Sequence, residues 1–316
     1  MSNDSTVRLQ QAMKKTLISF LCASVLWGIA VPNILPGGSP PVSLAEHMAA
    51  QLSCRTNGGD YNFITKTNQI YYLLPAQPRL TANFWLRDVT NILASSVGRF
   101  TPDDALAEFS PWFVGACLSP ISPRHCLGST HATGNLQDPH LWLLPDGSFY
   151  TNSILAVTNL GGDITICLMT KTNPASYRVL PDISSKVSGV RNGDYTKSKP
   201  ALAVLMHYSS QNTPCVTTFT AALLYTGAQC GHATNQLEFG NYSLGYKQIS
   251  GDSSSPILTV INNEAVLVCQ VYSSLYGTAL WLKTNAINSA MANLSTNNSA
   301  PVYQMSLYDL SGFPDQ

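Results

Sequence analysis

A chain of 316 residues is long enough for one large domain or two smaller ones, each with its own core. It carries 17 basic and 17 acidic side chains, so its formal net charge is zero, and only 11% of its residues are charged. That balance excludes a basic field for nucleic acid and an acidic tail, while 14 tyrosines and 19 prolines favour short strands and turns over long helices.

In chain order, the first recognisable stretch is Met13 to Ala30. Lys14 and Lys15 precede an apolar run, and Gly28 and Ala30 occupy the small-residue positions of a cleavage site. This is the composition of a secretory signal, with the first twelve residues as an upstream extension. The apolar run ends at Leu35 and is broken by Pro32, short of the roughly 20 residues a membrane span needs. The expectation is a secreted, periplasmic or cell-envelope protein that meets the membrane only through this segment. Residues 1–36 are assigned to the extension and signal, and 37–80 to an N-terminal segment or pro-region. Within the latter, Val42 to Leu52 predicts a short helix: Ser43 caps it, and Leu44, Met48 and Leu52 share a face. Asn57-Gly58-Gly59-Asp60 predicts a turn and Tyr71 to Leu74 a strand.

Phe84 to Ile92 predicts a strand, and Thr101-Pro102-Asp103-Asp104 opens a short helix through Phe109. From Trp112 onward short apolar runs alternate with turns. Strands are expected at Trp112 to Leu118, Tyr150 to Thr158, Asp163 to Met169, Ala201 to His207, Cys215 to Thr226, Ile257 to Ile261 and Ala265 to Tyr272. Turns fall at Ser122-Pro123-Arg124, Pro145-Asp146-Gly147, Asn159 to Gly162 and Arg191 to Asp194. Short strands with regular turns mean a sandwich or barrel. Asn285 to Leu294 predicts a late helix, and in the polar tail 296–316 the run Tyr303 to Leu310 is a further pairing segment. Of eight cysteines, seven remain after the signal, so at least one is free or pairs between chains. Cys126, Cys167 and Cys269 lie in apolar runs and read as buried small hydrophobes. Cys215 and Cys230 flank a hairpin-like segment and leave a bridge open.

Three segments carry chemistry. Gly251-Asp252-Ser253-Ser254-Ser255-Pro256 puts a serine in a tight turn before an apolar run. A glycine two residues earlier lets backbone amides face the serine hydroxyl, which supplies a nucleophile and oxyanion donors; a plain polar hairpin has the same composition. Upstream stand Ile121 to Ala132, with His125 and His131, and Gly161 to Leu168, with Asp163.

In the order His, Asp, Ser, with 32 residues from His131 to Asp163 and 90 from Asp163 to Ser253, these segments resemble the trypsin-like (chymotrypsin-fold) serine peptidases over about residues 80–295. The matching features are the small pair Ser129-Thr130 before His131, an aspartate opening an apolar strand, and Gly-Asp-Ser. The resemblance implies an all-β fold of two successive six-stranded antiparallel β-barrels, about 81–190 and 191–284, with a closing helix at 285–294. It implies a secreted serine endopeptidase acting on protein or peptide substrates through an acyl-enzyme, with no metal and no organic cofactor. Ser253 attacks, His131 moves the proton, Asp163 orients the imidazole, and the amides of Gly251 and Ser253 form the oxyanion hole. His125 falls where the family has a large apolar residue and reads as a satisfied strand residue. Counting back six from Ser253 places Lys247 near the floor of the first specificity pocket, favouring an acidic or polar substrate side chain; otherwise it is a solvated loop charge.

The chain departs from the family at several points. Ser254 and Ser255 replace two glycines, Ala132 and Ile249 stand where cysteines are usual, and no Ile-Val-Gly-Gly start exists to pair with Asp252. These departures look like a divergent secreted bacterial branch. They also admit a catalytically impaired trypsin-like domain acting as a binding or scaffolding module. Two other classes are weaker. His125, His131, His140 and Asp138 form no compact metal-ligand motif, and a sugar platform on Trp85, Trp112 and Trp142 would have to use residues in or beside strands.

Overall fold

A computed structural model describes residues 42–55, 64–65, 79–80, 82–96, 98–99, 117–133, 136–137, 139–187, 203–206, 217–220, 223–226, 229–232, 253–271 and 276–316. The expected signal segment, the strand at 71–74, the helix at 101–109 and most of the strand at 112–118 lie outside these residues, as do Lys247, Gly251 and Asp252. The described chain is mostly β, with a curled antiparallel half-barrel sheet and a C-terminal helix.

The N-terminal part holds helix α1 (Leu44–Ser53) and the short pair β1 (Ile64–Thr65) and β2 (Arg79–Leu80). Its main sheet is built from β3 (Gly98–Arg99), β4 (Ser119–Pro120), β5 (His125–Ser129), β6 (Pro139–Leu143), β7 (Phe149–Gly161) and β8 (Ile164–Met169). Their spatial order is β3-β6-β7-β8-β5-β4, all antiparallel. The β7–β8 hairpin turns on Gly162 and Asp163, at φ 63° and 60°, between the paired Gly161 and Ile164. Two left-handed residues are what a tight hairpin twist requires, and aspartate is among the few non-glycine residues that adopt them readily. Register then does the positioning. Ser129, the last residue of β5, lies opposite Ile164, the first of β8, so the residues just beyond both strand ends share one edge of the sheet.

The C-terminal part holds β9 (Arg178–Val179), β10 (Ala203–Met206), β11 (Thr217–Thr220), β12 (Leu223–Thr226), β13 (Gln229–His232), β14 (Pro256–Ile261), β15 (Glu264–Gln270) and β16 (Tyr276–Thr278), then helix α2 (Thr284–Asn297). They form a five-stranded sheet, β11-β10-β14-β15-β9, and a three-stranded one, β12-β13-β16. The β14–β15 hairpin uses Asn262 and Asn263, at φ 50° and 60°, again a left-handed pair.

Strand alternation sorts the core. Leu258, Val260, Ala265 and Leu267 face a cluster shared with Leu127, Ile166 and Leu168 of the first sheet and with Ile287 and Met291 of α2. Their neighbours Ile257, Ile261, Val266 and Val268 face Leu44 and Met48 of α1. Each fully buried Leu, Ile or Val contributes about 1.5–3 kcal/mol relative to exposure, so β14 and β15, buried on both faces, tie the two parts together.

Several expectations are corrected. Phe84 to Ile92 is not a strand: Arg87, Val89 and Ile92 donate their amides to the carbonyls of Phe84, Leu86 and Val89, giving successive turns that bury Phe84, Trp85, Leu86, Val89 and Ile92. β6 was not expected, and it buries Trp142, whose indole donates to the Ala94 carbonyl at 2.9 Å. Trp85 and Trp142 are therefore core residues rather than a sugar platform. The tail segment Tyr303 to Leu310 makes a single parallel bridge, Leu307 to Val179, instead of a strand. The β15–β9 pair is parallel, so the second sheet is not wholly antiparallel, and none of the described pairings closes either part into a six-stranded barrel. Cys117, Cys126, Cys167 and Cys269 are buried, and Cys54 is exposed. Among the described residues no helix is long and apolar enough to cross a membrane.

Candidate active site

His131 is displayed by a tight turn at the end of β5. Ala132 donates its amide to the Ser129 carbonyl at 3.0 Å, and the Thr133 hydroxyl donates to the same oxygen. Gly128 is required just before this turn, because a Cβ there would stand 2.6 Å from Thr133 Oγ1. The small residues that precede His131 thus leave room for the turn to fold back on its own strand.

Asp163, in the left-handed hairpin turn, reaches across to this edge. Its Oδ1 accepts the His131 amide at 3.2 Å, and its carbonyl accepts the Thr130 amide at 3.3 Å. Its Oδ2 lies 2.7 Å from His131 Nδ1 and is itself shielded from solvent. That contact has ion-pair length, and Oδ2 has no other hydrogen-bond partner among the described residues. The opposite ring nitrogen, Nε2, is 2.7 Å from Ser253 Oγ. Carboxylate, imidazole and hydroxyl therefore stand in line, 122 residues separating the last two in sequence. The imidazole is 51% exposed and the carboxylate 19%, so the ring opens to solvent while the carboxylate is held behind it.

Ser253 sits in the turn that leads into β14. Ser254 donates its amide to the Val271 carbonyl at 2.7 Å, and Val271 donates back to the Ser255 carbonyl at 3.0 Å. This carries the β14–β15 ladder up to the turn and leaves Ser253 one residue beyond it. Pro256 begins the strand, where its missing amide matters least. Ser254 is fully buried at φ 72°, the left-handed region.

His125 is placed elsewhere. Its ring is fully buried beneath α2, with Nδ1 2.9 Å from Ser122 Oγ and Nε2 3.2 Å from Ser295 Oγ. Burial, reinforced by the cysteines around it, pushes the Cys126 thiol up, and burial does the same to Cys167, so neither is a competing nucleophile. Among the described residues no group of three or more His, Cys, Asp or Glu is placed to hold a metal ion. The structure brings together His131, Asp163 and Ser253; Gly251 and Lys247 lie outside the described residues. Sequence reasoning missed the buried polar groups behind the site, Ser129, Ser254 and Gln270, whose only signal is a polar residue inside an apolar run or beside a turn.

No family model matches this chain, and no curated protein matches it. Among solved structures, it is similar to mouse neuropsin, a serine protease expressed in the limbic system of the brain. The two are 10% identical with a TM-score of 0.39, over 62% of this chain and 93% of that one. It is also similar to the serine protease of a human pathogenic astrovirus, 14% identical with a TM-score of 0.33, over 61% of this chain and 93% of that one. At TM-scores of this size the likeness carries no weight for chemistry, which must rest on the side chains themselves.

Proposed function

We propose that the chain is a serine endopeptidase of the trypsin-like type. The observation that carries the reading is the line from Asp163 Oδ2 to His131 Nδ1 to Ser253 Oγ, with 2.7 Å at each contact. An alkoxide is a strong nucleophile and an alcohol a poor one, so a hydroxyl needs a base within hydrogen-bond reach to attack a carbonyl. Nε2 occupies that position for Ser253. In this mechanism Ser253 Oγ adds to the scissile carbonyl as its proton passes to Nε2. The same proton then goes to the departing amine, leaving an acyl-enzyme that water cleaves by the reverse relay. Asp163 fixes the tautomer with the proton on Nδ1 and stabilises the imidazolium.

The Ser253 amide, which makes no hydrogen bond to another described residue, joins that of Gly251 in binding the oxyanion. Lys247 selects an acidic or polar substrate side chain in the first pocket. Export through the segment before residue 37 and membership of a divergent secreted branch belong to the same proposal and rest on sequence alone.

A fluorophosphonate probe tests the reading directly. Labelling of the mature protein should map to Ser253 by mass spectrometry and vanish in Ser253→Ala and His131→Ala. A folded protein that stays unlabelled, also after limited proteolysis, would point instead to a binding module on the same scaffold.

A further inference from the structure

Behind the line of three side chains lies a buried polar clamp. Ser129 is two residues from His131, and Ser254 is next to Ser253. The Ser129 amide donates to Ser254 Oγ at 2.8 Å, across 125 residues of sequence. Both residues also donate to one acceptor, the Val271 carbonyl: Ser254 through its amide at 2.7 Å and Ser129 through its hydroxyl at 3.3 Å. Gln270 closes the cluster, its Nε2 lying 3.2 Å from the Ser254 carbonyl and 3.0 Å from the Leu127 carbonyl of β5. Ser129 and Ser254 are buried and Gln270 nearly so, so each bond is made away from competing water.

The strand end that carries the base and the turn that carries the nucleophile are thus joined by a hydroxyl, not by apolar packing alone. Glycine, the easier residue at φ 72°, has no atom to make this bond.

We propose that Ser254 is a positioning residue, whose hydroxyl fixes the distance between His131 Nε2 and Ser253 Oγ by clamping the nucleophile turn to the end of β5. This rests on the hydrolase reading of those two residues. The substitution Ser254→Gly isolates the effect, because glycine adopts the left-handed backbone freely and the fold is retained. Ser254→Ala is the second variant, keeping the Cβ and losing the hydroxyl.

The experiment compares wild type and both variants in the fluorophosphonate reaction, separating the limiting labelling rate from probe affinity, alongside thermal unfolding. A displacement of about 1 Å at reacting atoms costs on the order of 100-fold. The expected result is therefore a fall of about 10- to 100-fold in limiting rate in both variants, little change in probe affinity, and near wild-type melting for Ser254→Gly. The ¹⁵N resonance of His131 Nε2 is followed in parallel, and should move toward that of a ring nitrogen accepting no hydrogen bond.

Wild-type labelling at Ser253 with an unchanged rate in Ser254→Gly overturns the positioning role and leaves the hydrolase reading standing. Wild type that is not labelled, with an Nε2 resonance that still responds to Ser254→Gly, overturns the hydrolase reading and supports the clamp. An Nε2 resonance indifferent to both variants overturns the clamp.

Discussion

Acidification is expected to destabilise the fold through His125. Its ring is fully buried, and its protonation is dictated by its neighbours. Ser122 Oγ already accepts the amides of His125 and Arg124, at 2.9 and 3.2 Å. Its own O–H is therefore left to donate to His125 Nδ1 at 2.9 Å. Nδ1 accepts, and Nε2 carries the single proton toward Ser295 Oγ and the Met291 carbonyl. Burial pushes the pKa from 6.5 down to about 4, with the Arg124 charge adding to the fall and the Met291 carbonyl opposing it. A second proton, on Nδ1, would face a hydroxyl whose lone pairs are both in use.

The unfolded chain binds that proton at its ordinary affinity while the folded one resists it. Stability is thus full above pH 6.5, declines as pH falls below that value, and stops declining near pH 4. The whole gap corresponds to about 3 kcal/mol, of which about 2 kcal/mol is lost between pH 7 and pH 5. Urea unfolding followed by tryptophan fluorescence at several pH values measures this, with His125→Asn as the non-titrating partner whose Oδ1 can still accept from Ser122. The variant should start about 1–3 kcal/mol less stable at pH 7 and then lose about 2 kcal/mol less than wild type on the way to pH 5. His47, also lowered by burial, contributes to both proteins and cancels in the difference. Two stability curves that fall in parallel would refute the assignment.

Asp163→Asn should keep the hairpin, because asparagine tolerates φ 60°, yet lower probe labelling by about 10⁴-fold through the wrong imidazole tautomer; circular dichroism and labelling rate read the two effects separately, and wild-type labelling would exclude an orienting role. Gly277→Ala should destabilise by about 1–3 kcal/mol, since a Cβ there would overlap the Gln270 carbonyl and stand 2.6 Å from Cys269 Sγ. A neutral outcome in urea unfolding would mean that β16 does not approach β15 so closely.

Where local pattern and burial agree, the sequence was a good guide. The spacing of Leu44, Met48 and Leu52 after Ser43 predicts α1, and all three are fully buried behind a capping box of Ser43 and Glu46. The apolar runs at 257–261 and 265–272 correspond to β14 and β15, and the helix at 285–294 to α2. Phe84 to Ile92 misled because an apolar run reports burial before it reports backbone shape. Its buried residues fall at 84, 85, 86, 89 and 92, a spacing that successive turns satisfy and an alternating strand does not. β6 was obscured for the opposite reason: Pro139 and His140 open it, and neither reads as a strand residue, although His140 is fully buried.

The line of His131, Asp163 and Ser253 was legible because each member is announced by its immediate neighbours: a small pair, a Gly-Gly turn and a Gly-Asp turn. Its support was not, because Ser129 and Ser254 are 125 residues apart and their bond depends on a backbone angle that composition does not encode. From the sequence, Ser254 in place of glycine looks only like a cost, and a left-handed serine does cost roughly 1–2 kcal/mol. The structure supplies the opposing quantity. Without the Ser254 hydroxyl the Ser129 amide would be buried with no acceptor, a penalty of about 1–3 kcal/mol. The two magnitudes nearly offset, so stability alone does not favour serine over glycine here, and the difference between them is left to geometry at the adjacent Ser253.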